Sequence, residues 1–229
     1  MKILSITTSS NICSVSILDN STIIKELSLD NAKTHSENLM PLISKILSIT
    51  STSLEEIECI ACDIGPGSFT GIRIGISSVK AMAEAKNIKI MPVTSLEALL
   101  YNVADNSTEY TCSLIDARND NVYCGLFDKN YNLVNQYMAD HIDNIIKKLP
   151  NGNIYFVGNG SIIHKDKLTS KFNDSAHFAT NNSLSSANLG ICAYKKSLTE
   201  AFITPDELVP LYLRKSQAER MLENKWITL

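Results

Sequence analysis

The chain has 229 residues, 44% apolar and 20% charged, with a net charge of −3. That length suits one large domain or two small ones about a hinge, and the composition suits a globular protein with a real core. The charge excludes a global basic field for nucleic acid, so an RNA contact needs a local patch or a partner. No apolar run approaches the roughly 18 residues of a membrane span. The opening residues enter a strand pattern at once instead of reading as a signal peptide. A cytoplasmic protein without membrane contact is therefore expected, and six scattered cysteines agree with it.

Residues 2–7 and 13–18 read as two strands joined by the polar turn Thr8-Ser9-Ser10-Asn11. A second turn at Asp19-Asn20-Ser21 leads to a third strand over 22–29. Leu39, Leu42, Ile43, Ile46 and Leu47 recur at helical spacing, which predicts a helix to about Ile49, strained or bent at Pro41. A linker over 50–53 and a short helical patch over 54–58 precede a strand through Ile60 and Ala61. Cys59 and Cys62 stand three apart in that strand and so face opposite sides, which argues against a shared metal or disulfide.

The stretch from Asp63 to Gly75 is the centre of the chain. A strand enters it, Gly65-Pro66-Gly67 turns, and Ser68 caps a helix that runs to about Lys86. Strand, glycine loop and helix N-terminus is the geometry that receives phosphates. Within the helix, Arg73, Ser77, Lys80 and Glu84 form one polar stripe at about 100° per residue. The remainder, an arc of roughly 220°, is apolar or small, against something over 100° for an ordinary surface helix. One part of that arc must cover the sheet. The surplus, with Gly71 and Gly75 four residues apart, predicts close approach of a partner helix. A strand over 88–91 and a helix from Ser95 to about Asn102, capped by Thr94 or Ser95, complete the first half.

The second half repeats the first. Residues 114–117 and 122–127 repeat the hairpin, and 132–137 are the expected third strand. Superposing Ile6-Thr7 on Ile115-Asp116 brings Asp19 onto Asp128. Residues 156–161 echo the glycine loop. A helix over 187–198 and an extended run over 209–213 follow, then a polar tail over 215–229. The expected division is a first lobe over 1–106 and a second over 107–229, with the C-terminal segment packing back towards the first.

Two similar α/β lobes with facing glycine turns resemble the actin-like, sugar kinase and Hsp70 (ASKHA) fold, each lobe a mixed sheet with helices. That resemblance implies a nucleotide between lobes and an aspartate on the first hairpin that orients a metal-bound water. Thr7 stands at that position, and the equivalent carboxylate survives only as Asp116. Asp63, Gly65, Gly67 and Asp116 are the cofactor-binding candidates. Of the four histidines, His35, His141, His164 and His177, none has a second ligand at metal-binding spacing, so no metal site is expected. No catalytic residue is assigned.

Residues Gly65-Pro66-Gly67-Ser68-Phe69-Thr70-Gly71-Ile72-Arg73-Ile74-Gly75 resemble the signature of the TsaB (YeaZ) family of bacterial tRNA-modification proteins. His35 to Leu42, Val93 to Leu96, Asp116-Ala117-Arg118 with Val122-Tyr123, and Pro210 to Arg214 with Ala218-Glu219 resemble further segments, in order. The resemblance implies a non-catalytic paralogue of TsaD that forms a heterodimer with it, is joined by the ATPase TsaE, and supports synthesis of threonylcarbamoyladenosine in tRNA. The net charge of −3 makes contact with tRNA indirect, through the partners, and the exposed patch is expected to pair two copies of the isolated chain as a homodimer. No cofactor is tightly bound, a nucleotide held weakly at the complex interface being the one candidate. The family contact uses the first two helices, so the partner-interface residues implied here are His35, Leu39, Met40, Gly71, Ile74, Gly75, Ser78 and Met82. Two departures stand out. Thr7-Thr8 replaces the usual Asp-Thr, and Asn119-Asp120-Asn121 replaces a basic-Gly-Glu turn. The alternatives are a stand-alone metallopeptidase-like or ATP-hydrolysing enzyme, and a transferase using Asp63 and Asp116 around a metal.

Overall fold

Alternating faces and continuous apolar runs set the first sheet. The computed structural model describes residues 1–30, 35–103 and 108–214. β1 (Lys2–Thr7), β2 (Ile12–Asp19) and β3 (Thr22–Asp30) form an antiparallel meander. β4 (Cys59–Asp63) lies parallel to β1, with Leu4 opposite Ile60, and β5 (Lys89–Val93) lies parallel to β4. The sheet order is β3-β2-β1-β4-β5. Strands β1 and β4 are buried on both faces, which is why they read as near-continuous apolar runs.

On one face lie α1 (His35–Ile49) and α2 (Phe69–Lys86), whose Leu39, Leu42, Ile46, Ile72, Ile76 and Val79 meet Leu4, Ile6, Ile17, Ile60 and Cys62. Helix α1 runs through Pro41, which has no N–H to give the Glu37 carbonyl. On the other face, Ile3, Leu18, Cys59 and Met91 meet Leu189, Cys192 and Ala193 of α7 (Ser186–Ser197), a helix from the far end of the chain. Cys59 and Cys62 thus enter different cores. Burial pushes the Cys59 thiol up to about 12, and all six cysteines are free and buried.

The second sheet repeats the plan. β6 (Tyr110–Asp116), β7 (Asn121–Asp128) and β8 (Met138–His141) form the meander, and β9 (Ile154–Val157) and β10 (Ala176–Phe178) follow in parallel. The order β8-β7-β6-β9-β10 matches the first sheet strand for strand. Thr7 and Asp116 end equivalent strands, as do Asp19 and Asp128. α4 (Ile142–Lys148), α5 (Asn159–Ile163) and α6 (Lys165–Phe172) complete it.

One element differs from expectation. The third strand of the second half is 138–141, not 132–137. The Asp128 carboxylate accepts the N–H groups of Asn130 and Asn132, and Tyr131 takes a left-handed conformation (φ 65°), so the chain turns instead of pairing. Leu133 keeps a single bridge to Phe127, and pairing resumes at Met138 opposite Cys124.

The halves cross over. α3 (Ser95–Leu100) sets Leu96 and Leu100 against Phe127, while α7 covers the first sheet. Beyond α7, Ile203 bridges to Ile90, Leu208 is buried in the first core, and Leu211 gives its N–H to the Ile64 carbonyl at 2.8 Å. The run over 209–213 forms a strap of this kind and not a strand. The boundary proposed at 106 and the polar tail over 215–229 lie outside the described residues. No helix among the described residues is long and apolar enough to cross a membrane.

Candidate functional site

The glycine loop is built at the end of β4, where Asp63 is 2% exposed. Its carboxylate accepts four hydrogen bonds: Thr7 Oγ1 and Ser9 Oγ at 2.5 Å, Ser95 Oγ at 2.7 Å and the Gly65 N–H at 2.9 Å. An ionised carboxylate has about four lone-pair sites, so none is left for a metal or a water. Burial raises the Asp63 pKa, and the hydroxyl and amide donors offset that only in part. Thr7, at the position expected of a catalytic aspartate, donates to this carboxylate.

The loop is occupied by its own chain. The Ser68 N–H donates to the Ser9 carbonyl at 2.7 Å, and a Cβ on Gly67 would overlap that same oxygen. A phosphate would have to meet a carbonyl oxygen where free N–H groups are required. The Gly65 carbonyl accepts the N–H of Ser95 at the start of α3. Ser68 caps α2 as expected, its Oγ accepting the Gly71 N–H at 3.2 Å. Asp116 accepts the backbone N–H of Arg118 at 3.0 Å and closes its own turn. Asp63, Gly65 and Gly67 therefore share one network through Ser9 and Ser95, while Asp116 closes a separate one. Among the described residues no three His, Cys, Asp or Glu side chains are grouped to hold a metal.

The other candidate lies between α1 and α2. A hollow of about 470 Å³ is lined by Leu39, Met40, Phe69, Arg73, Ile74 and Ser78, and one of about 440 Å³ continues it over Met40, Ser78, Ala81 and Ala85. Met40 is 50% exposed in the floor of an otherwise folded lobe. Ile74 and Ser78 are half-buried beside it.

Four of the implied interface residues also serve the inside of the first lobe. Leu39 and Met82 pack in the core of the first lobe, 1% and 7% exposed, and each also lines one of the two hollows. Gly71 and Gly75 face inward, and a Cβ on either would strike Thr8 of the first hairpin. The absence of side chains there lets α2 pack closely on the first hairpin, so the pair serves the packing of the lobe. His35 is half-buried, its Nε2 bonded to the Ser10 carbonyl at 2.8 Å. The surplus apolar arc was partly this hairpin contact.

Sequence reasoning missed Tyr212. The C-terminal strap stacks its ring on Phe69 (4.5 Å between centroids, 12° between planes), and Arg73 Nε donates to its hydroxyl at 2.8 Å. No local signal at Pro210-Leu211-Tyr212 points to a partner some 140 residues earlier. Arg214 Nη1 donates to the Ala117 carbonyl at 3.2 Å, so the strap touches both halves.

The model of the TsaD family, tRNA N6-adenosine threonylcarbamoyltransferase, matches residues 29–222. The chain belongs to this family, on its TsaB (YeaZ) branch. It is 28% identical over 236 residues to the tRNA threonylcarbamoyladenosine biosynthesis protein TsaB of Bacillus subtilis (strain 168), covering 99% of this chain and 98% of that protein. YeaZ from Pseudomonas aeruginosa superposes with a TM-score of 0.78 at 22% identity, covering 93% and 99% of the two chains. The ROK hexokinase of Thermus thermophilus superposes at 0.51 with 10% identity, covering 86% of this chain and 99% of that one, which places the fold in the actin-like class.

Proposed function

We propose that this chain is a supporting, non-catalytic subunit in the synthesis of N6-threonylcarbamoyladenosine in tRNA. It binds the catalytic TsaD subunit through the α1–α2 groove, and the complex so formed receives TsaE. Contact with tRNA runs through the partners, as a net charge of −3 favours. In isolation the same groove pairs two copies of the chain, because an exposed apolar patch is seldom left free. The working compartment is the cytoplasm, and nucleotide is held at most weakly, at the complex interface.

The observation that carries this reading is the open groove with half-exposed Met40 in its floor. The enclosure of Asp63 and the threonine at position 7 support a chain that does no hydrolysis of its own. The test is co-purification with the organism's own TsaD, followed by an assay for modified tRNA with and without this chain. Modified adenosine is expected only when both are present. Met40→Asp and Ser78→Arg are expected to break co-purification and leave the lobe folded. Turnover of magnesium-ATP by the pure chain at rates typical of ATPases would remove the non-catalytic reading.

A further inference from the structure

We propose that Arg73 is a preset carboxylate receptor at one end of the α1–α2 groove, and that the protein seated in the groove places an Asp or Glu side chain against it. This rests on the groove being the partner face. The argument begins with how the arginine is held. Its Nε–H is spent on the Tyr212 hydroxyl at 2.8 Å, and its guanidinium carbon lies 5.6 Å from the Tyr212 ring centroid. Tyr212 is itself fixed by stacking on Phe69 and by the Leu211 N–H to the Ile64 carbonyl. One edge of the guanidinium is thus anchored to a rigid platform. Among the described residues its two terminal nitrogens keep four N–H groups and no ion pair is made by Arg73. Arg73 is exposed and lines the larger hollow together with Phe69 and Ile74.

A free arginine gives up side-chain rotamer entropy when it is fixed by a ligand. Here part of that ordering is in place before a partner arrives. The planar fork matches a carboxylate in two parallel hydrogen bonds, a geometry that lysine does not offer. A phosphate would satisfy the same fork, but it would leave Leu39, Met40, Phe69 and Ile74, which share the hollow with the hydroxyls of Ser36, Thr70, Ser77 and Ser78, uncovered. Apolar floor plus one oriented cation fits an amphipathic protein helix with a single acid.

The experiment titrates the full-length chain with the organism's own TsaD, by calorimetry at low and high salt. Arg73→Glu is expected to weaken binding at least about tenfold and to flatten its salt dependence. Arg73→Lys is expected to recover only part of this. Tyr212→Phe keeps the ring stack but frees the guanidinium, and is expected to weaken binding about threefold with an unchanged melting temperature. Met40→Asp serves as the groove control. If Met40→Asp weakens binding and Arg73→Glu does not, the receptor is refuted and the groove stands. If neither weakens binding, both fall. If Arg73→Glu leaves TsaD affinity intact and lowers only the affinity of the assembled complex for tRNA, the ligand is a phosphate and the proposal is overturned.

Discussion

Asp63 is a carboxyl group held out of water and bonded by three hydroxyls and one amide. Its pKa is raised because burial outweighs these donors. In the unfolded chain it titrates near the ordinary value of about 3.9. The folded state therefore binds the proton more tightly. The stability that Asp63 contributes is fully present below the unfolded pKa and is lost as pH rises through the folded one. Asp63→Asn does not titrate, and its amide meets two donors where the carboxylate accepted them, a cost of about 1–3 kcal/mol. Urea denaturation across a pH series is expected to show the wild-type advantage shrinking from acid towards neutral pH. An advantage that grows with pH would contradict the assignment. Gly75 gives a second test at this scale. Gly75→Asp should lower the stability of the monomer itself by about 2 kcal/mol or more, since its Cβ meets Thr8. An unchanged melting temperature would return the glycine to the surface. The sequence located both residues but not their partners. Thr7, Ser9 and Ser95 are serine and threonine among many, and only the fold brings them to one carboxylate.

Elements were legible where the period was strong and their ends were marked. Helix α2 spans 69–86 behind its Ser68 cap, as read. α3 follows a capping box in which Thr94 accepts the Glu97 N–H and Glu97 accepts the Thr94 N–H. Strand β8 was misplaced because Asp128 turns the chain through side-chain bonds that imitate backbone ones. What holds α7 was not legible at all. Glu26, on β3, accepts the Ala187 N–H at 3.1 Å and the hydroxyls of Ser185 and Ser186 at 2.9 and 3.0 Å. A carboxylate at this helix N-terminus satisfies orphan amides and meets the positive end of the dipole. Its distance of 159 residues along the chain hides it from any local pattern. Glu26→Ala is expected to cost about 2 kcal/mol in thermal or urea unfolding. Glu26→Gln, which keeps an acceptor, should recover most of that. Equal losses for both would mean the charge matters and the cap does not.

At the scale of the whole molecule the duplication was readable from the order of weak matches, and the sheets bear it out. The crossing of α3 and α7 was not readable, because both helices are amphipathic and a helical period does not say which sheet it covers. The crossing has a thermodynamic consequence. Leu189, Cys192 and Ala193 of α7 are buried against Ile3, Leu18 and Met91, while Leu96 and Leu100 of α3 are buried with Phe127. Each large side chain so buried is worth about 1.5–3 kcal/mol, so neither sheet keeps its core if the other half lets go. The seam also carries a half-buried ion pair, Lys196 to Glu97 at 2.8 Å. Burial works against the charge on Lys196, yet Glu97 and Glu200 leave its pKa raised. Calorimetry of the full chain should therefore show one transition, with van't Hoff and calorimetric enthalpies equal. Leu189→Ala, at the centre of the seam, should cost about 2–5 kcal/mol of stability and lower that single midpoint without splitting it. Two resolved transitions, or a mutant that melts one half alone, would mean that the halves fold independently and that α7 is a tether and not a shared wall.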